Sequence, residues 1–148
     1  MGFRVRVVPT FVLMVVLAAS GCTEDEATPL YEAVSVGDSA WVRERIAEGD
    51  DVDQMSPPYG FTPLMEAAGL NDAIAGLLLE VGADPNVRDS DGWTALAFAA
   101  YRRSASAVEL LLEAGADAEL EPTGGESAGK SICSMAGGPE TEAGALVC

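Results

Sequence analysis

Gly60-Phe61-Thr62-Pro63-Leu64-Met65-Glu66-Ala67-Ala68 returns as Gly92-Trp93-Thr94-Ala95-Leu96-Ala97-Phe98-Ala99-Ala100, and each copy is followed by a leucine run and a Gly-Ala-Asp turn. Thr94 follows Thr62 by 32 residues, and Gly115 follows Gly82 by 33. A fixed period of this length, with two apolar runs and a glycine per unit, marks a stacked array in which no unit buries its apolar face alone. Such an array offers an extended surface, which points to binding more than to an enclosed catalytic site.

Each unit reads as two helices and a turn. Thr62 caps a helix that has Pro63 at its first position, where a missing N–H costs nothing, and Leu64, Ala67 and Ala68 form its narrow apolar face. A second helix is predicted from Asp72 to Val81, with Ile74, Leu77 and Leu78 buried and Gly82 just past its end in a left-handed conformation. Asp84, Pro85 and Asn86 then turn the chain toward the next unit. The following unit repeats the plan with Thr94, Leu96, Ala99 and Ala100, then Val108, Leu110, Leu111 and Leu112, then Gly115.

In these features the chain resembles the ankyrin repeats, with Thr62-Pro63-Leu64-Met65-Glu66-Ala67-Ala68 standing where that family has Thr-Pro-Leu-His-x-Ala-Ala. The resemblance implies an all-α fold: an ankyrin-repeat solenoid of paired antiparallel helices with connecting β-turn loops. It covers residues 28–148, read as an N-terminal capping repeat at 28–58, repeats at 59–90 and 91–123, and a partial C-terminal capping repeat at 124–148. The first unit, from Thr28-Pro29-Leu30-Tyr31, has Glu44 and Arg45 where leucines are expected, as a solvent-facing cap requires. In the last, Ile132 to Ala136 and Leu146 to Cys148 fall at the two helices, after an enlarged loop from Glu121 to Gly129. Two departures stand out. Tyr31, Met65 and Ala97 replace the family's histidine, removing a hydrogen-bond bridge between repeats, and the second unit is one residue short near Gly69 to Asp72.

Residues 1–21 read as a signal peptide. Arg4 and Arg6 precede an apolar run from Val7 to Ala19, and Ala19-Ser20-Gly21-Cys22 resembles the processing site of a bacterial lipoprotein. The run of 13 residues falls short of the roughly 20 that cross a bilayer as a helix. The resemblance implies lipid on Cys22, an acidic tether at 22–27, and a periplasmic, lipid-anchored protein of the cell envelope; Thr23 suits outer-membrane sorting. An ordinary secretory peptide cut nearby is the other reading, and it too places the chain outside the cytoplasm.

Eight Lys and Arg stand against 24 Asp and Glu, a net charge of −16, and loss of Arg4 and Arg6 with the signal makes the balance more negative. A surface of this sign repels nucleic acids and anionic headgroups and steers cationic partners toward itself. Solubility or a saline habitat explains the same charge without a partner. With 49% hydrophobic residues in a periodic pattern, disorder is not indicated.

Catalysis finds no support. Histidine is absent, so no Ser-His or Cys-His pair exists. Asp89-Ser90-Asp91-Gly92 resembles part of a calcium loop but lacks the later glutamate, and it falls at a turn between units. Gly124 to Ser131 formally spells a phosphate-loop string, yet an acidic loop precedes it where a strand is required. Neither cofactor nor metal is expected. With Cys22 lipidated, Cys133 and Cys148 remain; the repeat register sets them near the start and end of an antiparallel helix pair, which predicts a disulfide in an oxidising compartment. A pair of free thiols is the alternative.

Ankyrin repeats bind other proteins through turn tips and the exposed side of the first helices. Carried onto this sequence, those positions are Tyr59 and Phe61, then Ser90, Asp91, Trp93, Tyr101 and Arg102, with Asp53, Asp89 and Asp91 around them. Tyr, Trp and Arg are enriched among interface hot spots, and four of the nine aromatics fall here. A competing reading has Phe61 and Trp93 pack on each other and merely stiffen the array. The expectation is a monomeric, non-catalytic protein-binding module of the bacterial envelope with a basic protein partner, acting as scaffold or accessory factor; an inhibitor or immunity protein against a basic toxin or enzyme is the alternative.

Overall fold

A computed structural model describes residues 28–148; the signal peptide, Cys22 and the tether lie outside the described residues. Helices α1 (Pro29–Val36), α2 (Ser39–Glu48), α3 (Pro63–Ala67), α4 (Asp72–Glu80), α5 (Ala95–Tyr101), α6 (Ala105–Glu113), α7 (Ile132–Met135) and α8 (Glu142–Val147) form four successive pairs. The odd-numbered helices pack α1 on α3, α3 on α5 and α5 on α7, and the even-numbered ones α2 on α4, α4 on α6 and α6 on α8. Two layers of helices therefore run the length of the stack. The architecture is the all-α solenoid expected from the repeat, with a single bridge, Ser56 to Phe61, as the only β pairing among the described residues.

Capping chemistry sets where each helix begins. Thr28, Thr62, Thr94 and Ser131 accept hydrogen bonds from the backbone N–H of Tyr31, Met65, Ala97 and Ser134, at 3.3, 3.2, 3.3 and 3.2 Å. Each such cap contributes about 1 kcal/mol, and the second layer uses Asp38, Asn71, Ser104 and Thr141 in the same way. Past the ends of α4 and α6, Gly82 and Gly115 take φ of 96° and 88°, which a side chain would strain.

Between the layers lies one continuous core built from Leu30, Leu64, Ile74, Leu78, Leu96 and Leu111, all fully buried. Alanines 67, 68, 99 and 100 are buried as well, and their small size lets neighbouring helices approach closely. The short second unit shows in α3, which has five residues where α5 has seven. In place of the missing histidine, Met65 Sδ accepts the Thr62 N–H at 3.4 Å, and Tyr31 Oη donates to Glu66 at 3.0 Å across the first two units.

Turns between the pairs are laced to one another at the same period. Asp53 Oδ1 accepts from the Asp84 N–H at 3.0 Å, and Asn86 Oδ1 accepts from the Asp117 N–H at 2.8 Å. At the N-terminal end the partly exposed Arg45 grips Asp50 at 2.6 and 2.8 Å and also bonds Glu48. Its fork ties the last turn of α2 to the loop that follows. At the other end a disulfide joins Cys133 in α7 to Cys148 after α8, with 5.1 Å between their α-carbons.

Candidate functional site

Five rings form a chain along the first-layer helices and the turns that precede them. Tyr59 meets Phe61 at 5.7 Å between centroids, Phe61 meets Phe98 at 5.3 Å, Phe98 meets Trp93 at 4.9 Å, and Trp93 meets Tyr101 at 5.6 Å. Edge-to-face contacts, as at Phe61–Phe98 and Trp93–Tyr101, add about 0.5–1.5 kcal/mol each beyond burial. The ends of the chain are open, with Tyr59 58% and Tyr101 63% exposed, while Phe61, Phe98 and Trp93 are half-buried.

Phe98 corrects the idea that Phe61 and Trp93 stack on each other. It sits between them and touches both. The residue lay in plain view, since Phe98 occupies the helix position that holds Glu32 and Glu66 in the two units before it. An aromatic at a position otherwise given to a solvated carboxylate is the signal that sequence reasoning passed over.

Ser90 and Asp91 adjoin the rings but act through the backbone. Ser90 donates its N–H and its hydroxyl to the Tyr59 carbonyl, at 3.0 and 2.5 Å, and so fixes the ring-bearing turn of the second unit to the third. The Asp91 carbonyl accepts from the N–H groups of Thr123 and Gly124, both at 2.9 Å, and links the third unit to the enlarged loop. Arg102 stands on the other flank, its Cδ 3.0 Å from where a β-carbon on Gly69 would lie, so it covers the shortened turn of the second unit.

The surrounding carboxylates divide by task. Asp89, 9% exposed, accepts from the N–H groups of Asp91 and Trp93 at 2.9 and 2.8 Å and so shapes the turn that presents Trp93. Burial pushes its pKa above the ordinary aspartate value, while the backbone N–H groups of Trp93, Asp91 and Gly92 pull the other way. Burial also raises Asp53, opposed by its bond from Asp84. These two acids hold turns in shape, and the calcium-loop fragment is accounted for by Asp89 binding its own backbone. Among the described residues no group of three or more metal-ligating side chains converges.

Next to the rings opens a cleft of about 520 Å³, walled by Trp93, Phe98 and Tyr101 on one side and by Gly125, Ser127 and Lys130 on the other. A second depression of about 530 Å³ lies between α6 and α8, lined by Ser104, Ser106, Glu109 and Glu142 with Leu146. It contains no ring and no basic group. The ring-walled cleft therefore has the better chemistry for recognition, combining aromatic area with a cation. The Gly124–Ser131 string has a short 3-10 turn at Gly125–Ser127 and no preceding strand, so no phosphate-loop geometry is built there.

Comparison with known proteins agrees with this architecture. A family model described as ankyrin repeats, in three copies, matches residues 10–89 and 30–122. An ankyrin repeat-containing protein of Treponema pallidum is 44% identical over 103 residues, which is 68% of this chain and 35% of that protein. The ankyrin repeat protein YahD of Escherichia coli K12 is 38% identical over 93 residues, covering 59% of this chain and 46% of its own length. A mitochondrial disaggregase of Bos taurus is 48% identical over 66 residues, 44% of this chain and 10% of that one. The chain thus spans less than half the length of each of these relatives. Its capped helix pairs, its laced turns and the family match together show that the chain belongs to the ankyrin-repeat family.

Proposed function

We propose that the chain is a non-catalytic protein-binding module of the bacterial envelope, and that its partner docks on the strip from Tyr59 to Tyr101. Ankyrin repeats are in general protein-interaction modules, which sets the class. The observation that carries the specific reading is the ring chain itself, with two exposed tyrosines at its ends and half-buried rings between. Rings held by neighbours lose little freedom on binding, so their contact area converts efficiently into affinity.

Anchorage follows from the N-terminus. Lipid on Cys22 and the short tether hold the repeats at a membrane surface facing the periplasm, on the outer membrane if Thr23 governs sorting. The net charge, −16 for the full chain and more negative once Arg4 and Arg6 are lost, steers a basic partner from beyond contact range. Mass spectrometry of the processed N-terminus tests the anchor independently of the binding face.

For the face, the mature domain and a Tyr59→Ala, Trp93→Ala, Tyr101→Ala variant are compared in a pull-down from solubilised envelopes, with folding checked by circular dichroism. The reading expects a protein retained by the parent and lost by the variant. Equal retention by both moves the binding face elsewhere. The charge and rings suit an inhibitor of one basic enzyme as well, and affinity separates the cases, since an inhibitor needs tight binding and a scaffold does not.

A further inference from the structure

We propose that the cleft beside the rings seats an acidic peptide segment, one apolar side chain followed by an Asp or Glu, with Lys130 receiving the carboxylate. This rests on the binding reading above and names the chemistry of the segment that enters. Register places the lysine. Phe61, Trp93 and Lys130 each stand immediately before the residue that caps a first-layer helix, namely Thr62, Thr94 and Ser131. Because α3, α5 and α7 stack in order, Lys130 takes the next place in the row that Phe61 and Trp93 begin, and it lines the cleft opposite Trp93, Phe98 and Tyr101.

Lys130 is the sole lysine in a chain with 24 carboxylates, so it adds nothing to a solubility that rests on negative charge. Two of the arginines are committed to structural partners: Arg45 holds Asp50 and Glu48, and Arg88 donates to the carbonyls of Gly92 and Glu121. The Lys130 backbone N–H donates to the Ser127 carbonyl at 3.0 Å, while its ammonium makes no hydrogen bond or ion pair among the described residues. The nearby Asp91 packs its carboxylate against Gly124 and forms no ion pair with Lys130. Lys130 is exposed, so its ammonium favours an entering anion over a cationic segment by the modest amount of a solvated ion pair. Long-range steering toward a basic partner and local preference for one carboxylate act at different distances and are compatible.

The test uses the full chain and two probes, N-acetyl-Phe-Glu-amide and N-acetyl-Phe-Gln-amide, titrated while the Trp93 indole and the Gly125 and Ser127 amides are followed by NMR. The Glu probe is expected to bind about threefold more tightly, the size of an exposed ion pair. Lys130→Gln should erase that preference, and Arg43→Gln, which removes a cation from α2, should keep it. Equal binding of the two probes, or a preference that survives Lys130→Gln, overturns the carboxylate assignment while leaving the ring site standing. Failure of both probes to move the Trp93 and Gly125 signals overturns both the assignment and the ring site as a place for peptides.

Discussion

The middle two repeats and the last half-repeat are held by different physics. Helices α3 to α6 bury Leu64, Ile74, Leu78, Leu96, Val108 and Leu111 between the layers, so their stability comes from apolar area. Helices α7 and α8 bury only Ile132, Met135, Ala143 and Gly144, joined by Ala136 just past α7, and a covalent bond between Cys133 and Cys148 supplements this small core. The cleft lies on the seam between the two regions, taking its rings from the first and Lys130 from the second. A recognition site gains from this: one wall is rigid, and the other is a loop whose anchoring is separately adjustable.

Breaking the middle region gives the largest effect. Leu96→Ala deletes a fully buried side chain at the centre of the stack and is expected to cost about 2–5 kcal/mol, read as a fall in the denaturant midpoint. A loss under about 0.5 kcal/mol would mean that the middle units do not rely on apolar packing.

Opening the last region comes next. A Cys133→Ser, Cys148→Ser pair removes a cross-link over 15 residues, worth roughly 3 kcal/mol in the chain-entropy model. Most of that loss should be local, so hydrogen exchange should speed up at residues 132–147 and remain slow in α3 to α6. Uniform acceleration along the chain would contradict the division into two regions.

Smaller still is the turn that presents Trp93. Asp89→Ala strips two backbone N–H groups of their acceptor and is expected to cost about 1–2 kcal/mol, whereas Asp89→Asn keeps an acceptor oxygen and should cost less. The raised pKa fixes the sign of the pH dependence. A carboxyl that holds its proton more tightly when folded makes the folded state lose stability as pH rises through its titration and regain it as pH falls. Asp89→Asn should flatten that slope above the ordinary aspartate range.

The least effect is expected at the other end of the first layer. Burial first, and then the charge and hydrogen bond of Glu66, push the Tyr31 phenol up to about 12, with Arg102 opposing. Its contribution is present below the ordinary value of 10.0 and disappears as pH rises toward 12. Glu66→Gln should lower the midpoint of its absorbance titration without abolishing the shift.

Much of this was legible in the sequence because period, caps and leucine runs are local signals that repeat. Thr62 and Thr94 announce helix starts, Gly82 and Gly115 announce ends, and the two-layer stack follows from the period. Tyr59, Phe61, Trp93 and Tyr101 were readable as one surface for the same reason. What escaped depends on neighbours in space. Phe98 joins the rings only because α3 lies beside α5, and Ser90 and Asp91 matter through backbone contacts that side-chain type does not encode. The Arg45 fork was not readable because its partner Asp50 lies beyond the end of its helix. Lys130 was hidden by the enlarged loop, which breaks the period just before it.

The measurement closest to the central claim is hydrogen exchange on the chain with and without its captured partner. The account predicts protection confined to residues 59–61, 90–93, 98–102 and 125–130, the ring strip and the loop facing it. Protection centred on α4 and α6, with those segments unchanged, would contradict it and place binding on the opposite layer of the stack.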